Sequence, residues 1–298
     1  WVRSVYAGGF AAGVGIEFDT LSDQCRNDVL EVVRTHFAPR HTCLATLRIV
    51  NFFHRERNLG TALDGQGTMS TKLLVPGETC WAMEPASQIK LLMEASNYYE
   101  CLRRVCLQAK NAIYILGWDI DSRTPLRGLD SPSDGFPEAL LPFLSALLER
   151  TPALQIFILS WDFSLLYVWE RQFLPRQQFV WQGKERLAFQ LDGQHPAGAS
   201  HHQKIVVVDD GVAFSGGIDL TLCRWDTCEH LPNDKRRMTP DGHPYGTMHD
   251  AQIGVAGPAA TKLGDLFRER WLRATSQTIE PPQRNPIELP ESDLNDHE

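Results

Sequence analysis

The sequence lacks most of the features that would place it in a special class at once. No stretch approaches the ~18 uninterrupted apolar residues of a spanning helix, so a membrane-embedded chain is not expected. The seven cysteines (Cys25, Cys43, Cys80, Cys101, Cys106, Cys223 and Cys228) are odd in number and have no CxxC spacing. That argues against a disulfide framework and a cysteine-built zinc site, and mildly favours a reducing compartment. Positive charge is also scarce. Lys and Arg total 29 against 37 Asp and Glu, a net charge of -8, so a basic coat for duplex nucleic acid is not expected and any anion site must be built locally. There is no internal repeat. What remains is an ordinary globular composition, 43% apolar and 22% charged over 298 residues, enough for about two domains or one large one.

The first 71 residues are poorly defined. Residues 5–16 are small and apolar behind a single Arg3, as in the remnant of a signal peptide, but a piece of a longer chain is the favoured reading. Helical spacing over 20–37, a strand over 43–53 and a polar loop over 54–71 carry no chemistry. From residue 72 the pattern is regular, and one folded lobe is expected over 72–275. A long helix is expected over 86–110, then a buried strand over 112–118. A helix over 136–150, with Pro137 near its start, leads to a second buried strand over 153–161. Strand, crossover helix and strand imply parallel neighbours. The expected fold is therefore α/β: a mixed, largely parallel sheet with helices on both faces. Further strands are read over 186–191, 204–208, 212–217 and 251–256, with Asp209-Asp210-Gly211 as a hairpin turn and a helix over 258–275 opening on proline. Residues 276–298 are proline-rich and acidic and read as a linker or tail outside the core.

The chemistry concentrates in Ser200-His201-His202-Gln203-Lys204-Ile205-Val206-Val207-Val208-Asp209. On an extended chain, side chains two apart share a face, so His202 and Lys204 project together while His201 and Gln203 point the other way. One base and one fixed cation then face the same spot. Gly216-Gly217 on the return strand would let a bulky ligand approach the backbone. An HxK pair taken alone is ordinarily solvated, and Asp-Asp-Gly alone is ordinarily just a turn. The whole string, His202-x-Lys204, four residues, Asp209, six residues, Gly216-Gly217, is more specific.

That string resembles the HxK(x)4D(x)6GG signature of the phospholipase D superfamily, or HKD family. The resemblance continues through Ile218-Asp219-Leu220, Arg224-Trp225-Asp226-Thr227 and His230, which look like the GGxDL...GRxDT..H segment of enzymes acting on phospholipids. His249-Asp250, Val255-x-Gly257-Pro258-Ala259 and Glu269-Arg270-Trp271 resemble the WHD...eRW segment, with Met248 in place of its tryptophan. Residues 115–121 are similar to the first core strand, so the likeness runs from about residue 72 to 273 and is of the bacterial type.

The resemblance implies a phosphodiesterase that hydrolyses or exchanges phospholipid headgroups through a phosphohistidine, needing no metal and no cofactor. It implies His202 as nucleophile or its acid partner, Lys204 as phosphate ligand and Asp209 as a support of the motif. Asp250 stands where the family orients a catalytic histidine with a carboxylate. Other readings are weaker. His195, His201 and His202 lack the spacing of a zinc helix. Gly65-Gln66-Gly67 reads as a loop, and Gly198-Ala199-Ser200 lacks the second glycine of a nucleophile elbow. Trp161, Phe163, Tyr167, Trp169 and Phe173 read as core or pocket wall.

Family enzymes bring two HxK motifs together, and this chain has one; His54-Arg55-Glu56 puts glutamate where lysine belongs. The expectation is an amino-terminal half whose second lobe is supplied in cis or by dimerisation. The expected partner is a phospholipid at a membrane surface, met by a cytoplasmic or peripheral protein. Two alternatives stay open: a half-domain that binds headgroups without turnover, and a dimeric single-motif nuclease.

Overall fold

The computed structural model describes residues 76–77, 79–128, 133–162, 186–196 and 199–290. The readings for residues 1–71, and those for Phe163, Tyr167, Trp169 and Phe173, lie outside them. The chain divides into two units. Of the first, only 76–77 and 79–83 are described, a tight turn in which the Gly77 N–H donates to the Cys80 carbonyl at 2.8 Å. The described part of the second begins at Glu84 and holds every regular element among the described residues.

These elements are β1 (Gln88–Met93), α1 (Glu94–Cys106), β2 (Ala112–Gly117), α2 (Leu140–Arg150), β3 (Gln155–Trp161), β4 (Leu187–Asp192), β5 (Ile205–Val208), β6 (Val212–Gly216), β7 (Ala251–Ala256) and α3 (Pro258–Thr275). The strands form one seven-stranded sheet in the order β1-β7-β6-β5-β2-β3-β4. The sheet is mixed, as expected, but the expected balance is reversed. Only β2–β3 and β3–β4 pair in parallel, and the other four pairings are antiparallel. The crossover argument holds for β2 and β3, which are joined through α2; β5 returns as β6 through a tight hairpin, and the other antiparallel neighbours come from distant parts of the chain. The expected helix over 86–110 is also corrected. Its first part is β1, whose apolar residues merge in sequence with the start of α1.

The all-apolar β2 is buried on both sides, as a strand covered by helices must be. On one face Ile113, Ile115, Ile156 and Ile158 join one core with Tyr98, Leu102 and Val105 of α1 and Phe143, Leu144 and Leu147 of α2. On the other, Tyr114 stacks on Phe267 of α3 with centroids 4.8 Å apart, and Phe157 meets Trp271 edge-on at 5.3 Å. Inside α1 the fully buried Arg103 is tolerated because Asp134 accepts two hydrogen bonds from it, each 2.8 Å, and the Phe136 and Pro137 carbonyls take the rest.

The turn after β5 fixes the lower edge of the sheet. Asp209 and Asp210 both adopt φ of 50°, the left-handed pair a two-residue hairpin turn requires, and the Gly211 N–H closes it on Val208 at 3.0 Å. The fully buried Asp209 carboxylate accepts from the backbone N–H groups of Lys110, Asn111 and Ala112 at 2.7–2.8 Å, and from the Asn285 amide at 3.1 Å. It therefore clamps the start of β2. Asp209→Ala orphans those three amides, and we expect a loss of about 3 kcal/mol or more, read as a lowered urea midpoint at unchanged slope. Asp209→Asn, which tolerates the same φ, is expected to lose less.

The reading of 276–298 as lying outside the core is corrected for its described part. Ile287 and Leu289 are buried in the core, since residues two apart on an extended segment share a face. Lys90 bonds the Pro290 carbonyl at 2.8 Å and the Leu289 N–H bonds Gln88 at 3.0 Å. A hydrophobic pair in a proline-rich tail was the overlooked signal.

Candidate active site

The upper edge of the sheet collects the polar residues. It is formed by the carboxyl ends of β2, β3, β4 and β6 and the amino ends of β5 and β7, the edge where open α/β sheets place ligands. His202 and Lys204 lie in the extended lead-in to β5, which begins at Ile205, one residue later than expected. The expected alternation is seen. The Gln203 side-chain Oε1 accepts from Arg270 on α3 at 2.7 Å, and His201 Nε2 lies 3.4 Å from Asp192, which Arg270 also holds. Lys204 and His202 point the other way, to Trp118 just past β2. The ammonium sits 5.9 Å from the centroid of the indole and the imidazole meets it edge-on at 6.0 Å. Trp118 is in turn stacked on Trp161 at 5.7 Å, so the two aromatic ends of β2 and β3 brace one wall.

Lys204 is buried, and its partner is Asp219, also buried, at 2.9 Å. Asp219 further accepts the Trp118 N–H at 2.9 Å and the Asp119 N–H at 3.4 Å. Burial, aided by the nearby Arg224 guanidinium, lowers the affinity of Lys204 for its proton, and Asp219 works against that. Its charge is thus held by one carboxylate in a dry setting. Sequence alone assigns Asp219 no role beyond its place in Gly216-Gly217-Ile218-Asp219-Leu220. The signal was a carboxylate two residues beyond a Gly-Gly pair at a strand end.

His202 is exposed, so a ligand has access to it. Partial desolvation of its ring and, next, the Lys204 ammonium hold its pKa below the ordinary imidazole value, with Asp219 and Asp250 opposing. The sign favours a nucleophile: the imidazole is neutral, with a lone pair to offer, down to a lower pH than a free histidine. We expect the ring protons of His202 to titrate below 6.5 by NMR, and to titrate higher in Lys204→Met, where the adjacent cation is gone. A value at or above 6.5 in the native chain contradicts this account.

Three expectations meet a different arrangement. Asp209 is not in this cluster; it lies at the opposite end of β5, in the clamp described above. Asp250 is at the right edge but makes no hydrogen bond to His202. Its carboxylate accepts the Ala251 N–H at 2.7 Å and reaches His202 only through its charge. Gly216 and Gly217 do not open space for a ligand. A β-carbon on Gly217 would fall 2.2 Å from the Asp250 carboxylate, and one on Gly216 would fall 2.2 Å from Gln252 Oε1, so the protein's own side chains fill that room. Gly217→Ala is therefore expected to cost about 1–3 kcal/mol and to expel the Asp250 carboxylate from its seat. Chemical denaturation reads the first effect. A shift in the His202 titration reads the second.

Four of the described histidines outside the motif fall into two groups. His195 and His201 lie edge-on at 5.4 Å, and the His195 ring sits 2.7 Å from Asp162. His230 and His249 gather with Glu94 at the β1–α1 corner, a cluster that sequence reasoning missed because its members are 155 and 19 residues apart.

No family model matches the chain. Curated relatives do. Phospholipase D B of Dictyostelium discoideum is 25% identical over 225 residues, 62% of this chain and 17% of that protein. Phospholipase D1 of Saccharomyces cerevisiae is 26% identical over 247 residues, 69% of this chain and 14% of that protein. Human phospholipase D1 is 38% identical over a 69-residue stretch, 23% of this chain and 6% of that one. The matched part is thus a small share of each relative. Among solved structures, a Salmonella typhimurium protein, Nuc, described as a phospholipase D family member, superposes with a TM-score of 0.41 at 12% identity over 66% of this chain and 99% of that one.

Proposed function

From the premise that this chain is a member of the phospholipase D superfamily, we propose that it supplies one half-site of a phosphodiesterase acting on glycerophospholipid headgroups. The observation that carries the reading is the pairing of an accessible, proton-poor imidazole with a buried ammonium beside one indole. His202 attacks phosphorus; the P–N bond forms as the bond to the headgroup oxygen breaks, and the departing alcohol takes a proton from a second histidine. Water, giving a proton back to that second histidine, then attacks the phosphohistidine, the P–N bond breaks and phosphatidic acid leaves; an alcohol in place of water gives exchange. Lys204 balances the charge growing on the phosphoryl oxygens, and the low dielectric around it makes that balance effective. Asp219 keeps the ammonium charged and aimed.

The second histidine belongs to another HxK motif, contributed by a further lobe of a longer chain or by a second copy. The test is choline release from phosphatidylcholine vesicles, with covalent trapping of the intermediate. A competent form is expected to carry acid-labile, base-stable phosphate on His202, absent in His202→Asn. Label persisting in that variant moves the nucleophile elsewhere. A chain that stays monomeric and releases no choline leaves a headgroup-binding half-domain as the reading of this segment alone.

A further inference from the structure

Glu94, His230 and His249 place one ligating atom each within 4.8 Å of the other two, at the edge of the candidate active site but using none of its residues. Glu94 is 2% exposed, at the first position of α1 with φ of 63°, and its Oε1 receives both rings. His230 Nε2 approaches it at 3.3 Å, and His249 Nδ1 is in hydrogen-bonding contact with it. The second nitrogen of His230 is backed by a buried carboxylate. Its Nδ1 lies 3.0 Å from Asp226 Oδ2. Asp226 is fully buried and already held by Arg237 at 2.8 Å and by the N–H groups of Thr227 and Met248. Nδ1 is thus turned to Asp226 and Nε2 to the Glu94 oxygen. A carboxylate behind the distal nitrogen of a ligating histidine is also the usual device for orienting a metal-binding imidazole.

We propose that Glu94 Oε1, His230 Nε2 and His249 Nδ1 bind a divalent transition-metal ion of the zinc class. Two imidazole nitrogens and one carboxylate oxygen suit a borderline-soft ion and are a poor set for Mg2+ or Ca2+, which take oxygen. His249 is 53% exposed, which leaves the ion a path in and a fourth position for water. The ion ties three separate parts of the chain: the β1–α1 corner, the loop after β6 and the residues leading into β7. It thereby braces the strand end that carries Asp250. The site is independent of the phosphodiesterase reading and stands or falls without it.

The test is equilibrium dialysis of the chelator-treated chain against zinc, with cobalt as a spectroscopic substitute. The expected result is one zinc per chain and the visible absorption of four-coordinate cobalt, retained in His243→Ala and lost or at least about tenfold weaker in His249→Ala and His230→Ala. Mg2+ and Ca2+ in excess should not compete. Absence of stoichiometric zinc, equal zinc in the two histidine variants, or displacement by Mg2+ or Ca2+ overturns the proposal. X-ray absorption of the zinc-loaded native chain keeps the test decisive should a variant fail to fold. Two imidazoles and oxygen at about 2.0–2.1 Å are expected, and a shell without imidazole overturns the assignment.

Discussion

Lys204→Ala is expected to lower phosphodiester turnover by about 10²–10³-fold, some 3–4 kcal/mol of transition-state stabilisation, with most of the loss in kcat. The magnitude follows from where the ammonium sits. It is 5% exposed, beside one indole, with Asp219 as its ionic partner, so charge developing on a phosphoryl oxygen meets a fixed cation with little water to screen it. The same variant should weaken binding of inorganic phosphate by about 10–100-fold, the value of one charge-assisted hydrogen bond, measurable through Trp118 fluorescence even in a chain that does not turn over. Folding should be weakened as well, since the buried Asp219 loses its ionic partner. The loss is expected to be smaller than in Asp219→Ala, because Asp219 Oδ1 keeps the N–H groups of Trp118 and Asp119 while only Oδ2 is left without its partner. Lys204→Arg should rescue poorly, because a planar fork does not fit a pocket shaped around a compact ammonium. A rate and a phosphate affinity both unchanged in Lys204→Ala would mean that this group does not meet substrate.

The reverse substitution is expected to behave differently. Asp219→Ala should destabilise the protein by about 3–5 kcal/mol, because it strands a buried ammonium and the Trp118 and Asp119 amides together. Part of that loss is avoided if Lys204 gives up its proton, and the sign is clear: Asp219 is the group that holds its pKa up, so removing it lowers that pKa further. Loss of charge then removes the cation from the site, and turnover should fall as far as in Lys204→Ala. The double variant Lys204→Met/Asp219→Leu should be more stable than Asp219→Ala alone, since it leaves neither charge uncompensated. Urea denaturation of the two singles and the double measures the coupling. Equal stabilities for Asp219→Ala and the native chain would show that the pair contributes nothing.

The three carboxylates Asp209, Asp219 and Asp250 show how far a one-dimensional motif reaches. The spacing from His202 to Gly217 is strict in sequence, but its members serve opposite ends of the sheet. Asp209 holds the turn and the start of β2; His202 and Lys204 face the chemistry; the glycines make room for Asp250 and Gln252. A motif of this kind records both the site and the packing that lets β5 and β6 stand next to each other. Spacing alone does not separate the two roles.

The sequence by itself determined the α/β class, the hairpin at Asp209-Asp210-Gly211, the helix from Pro258, and the common face of His202 and Lys204. Each follows from local rules: the period of apolar residues, the φ demanded by a turn, the proline at a first helical position, the two-residue repeat of extended chain. Tertiary structure decided what depends on distant segments meeting. It made the sheet mostly antiparallel, because strand pairing is set by which connections cross over and not by the strands' own composition. It gave Lys204 its partner Asp219 and drew Glu94, His230 and His249 to one corner. A carboxylate's role is fixed by the donors that surround it, and those come from across the fold.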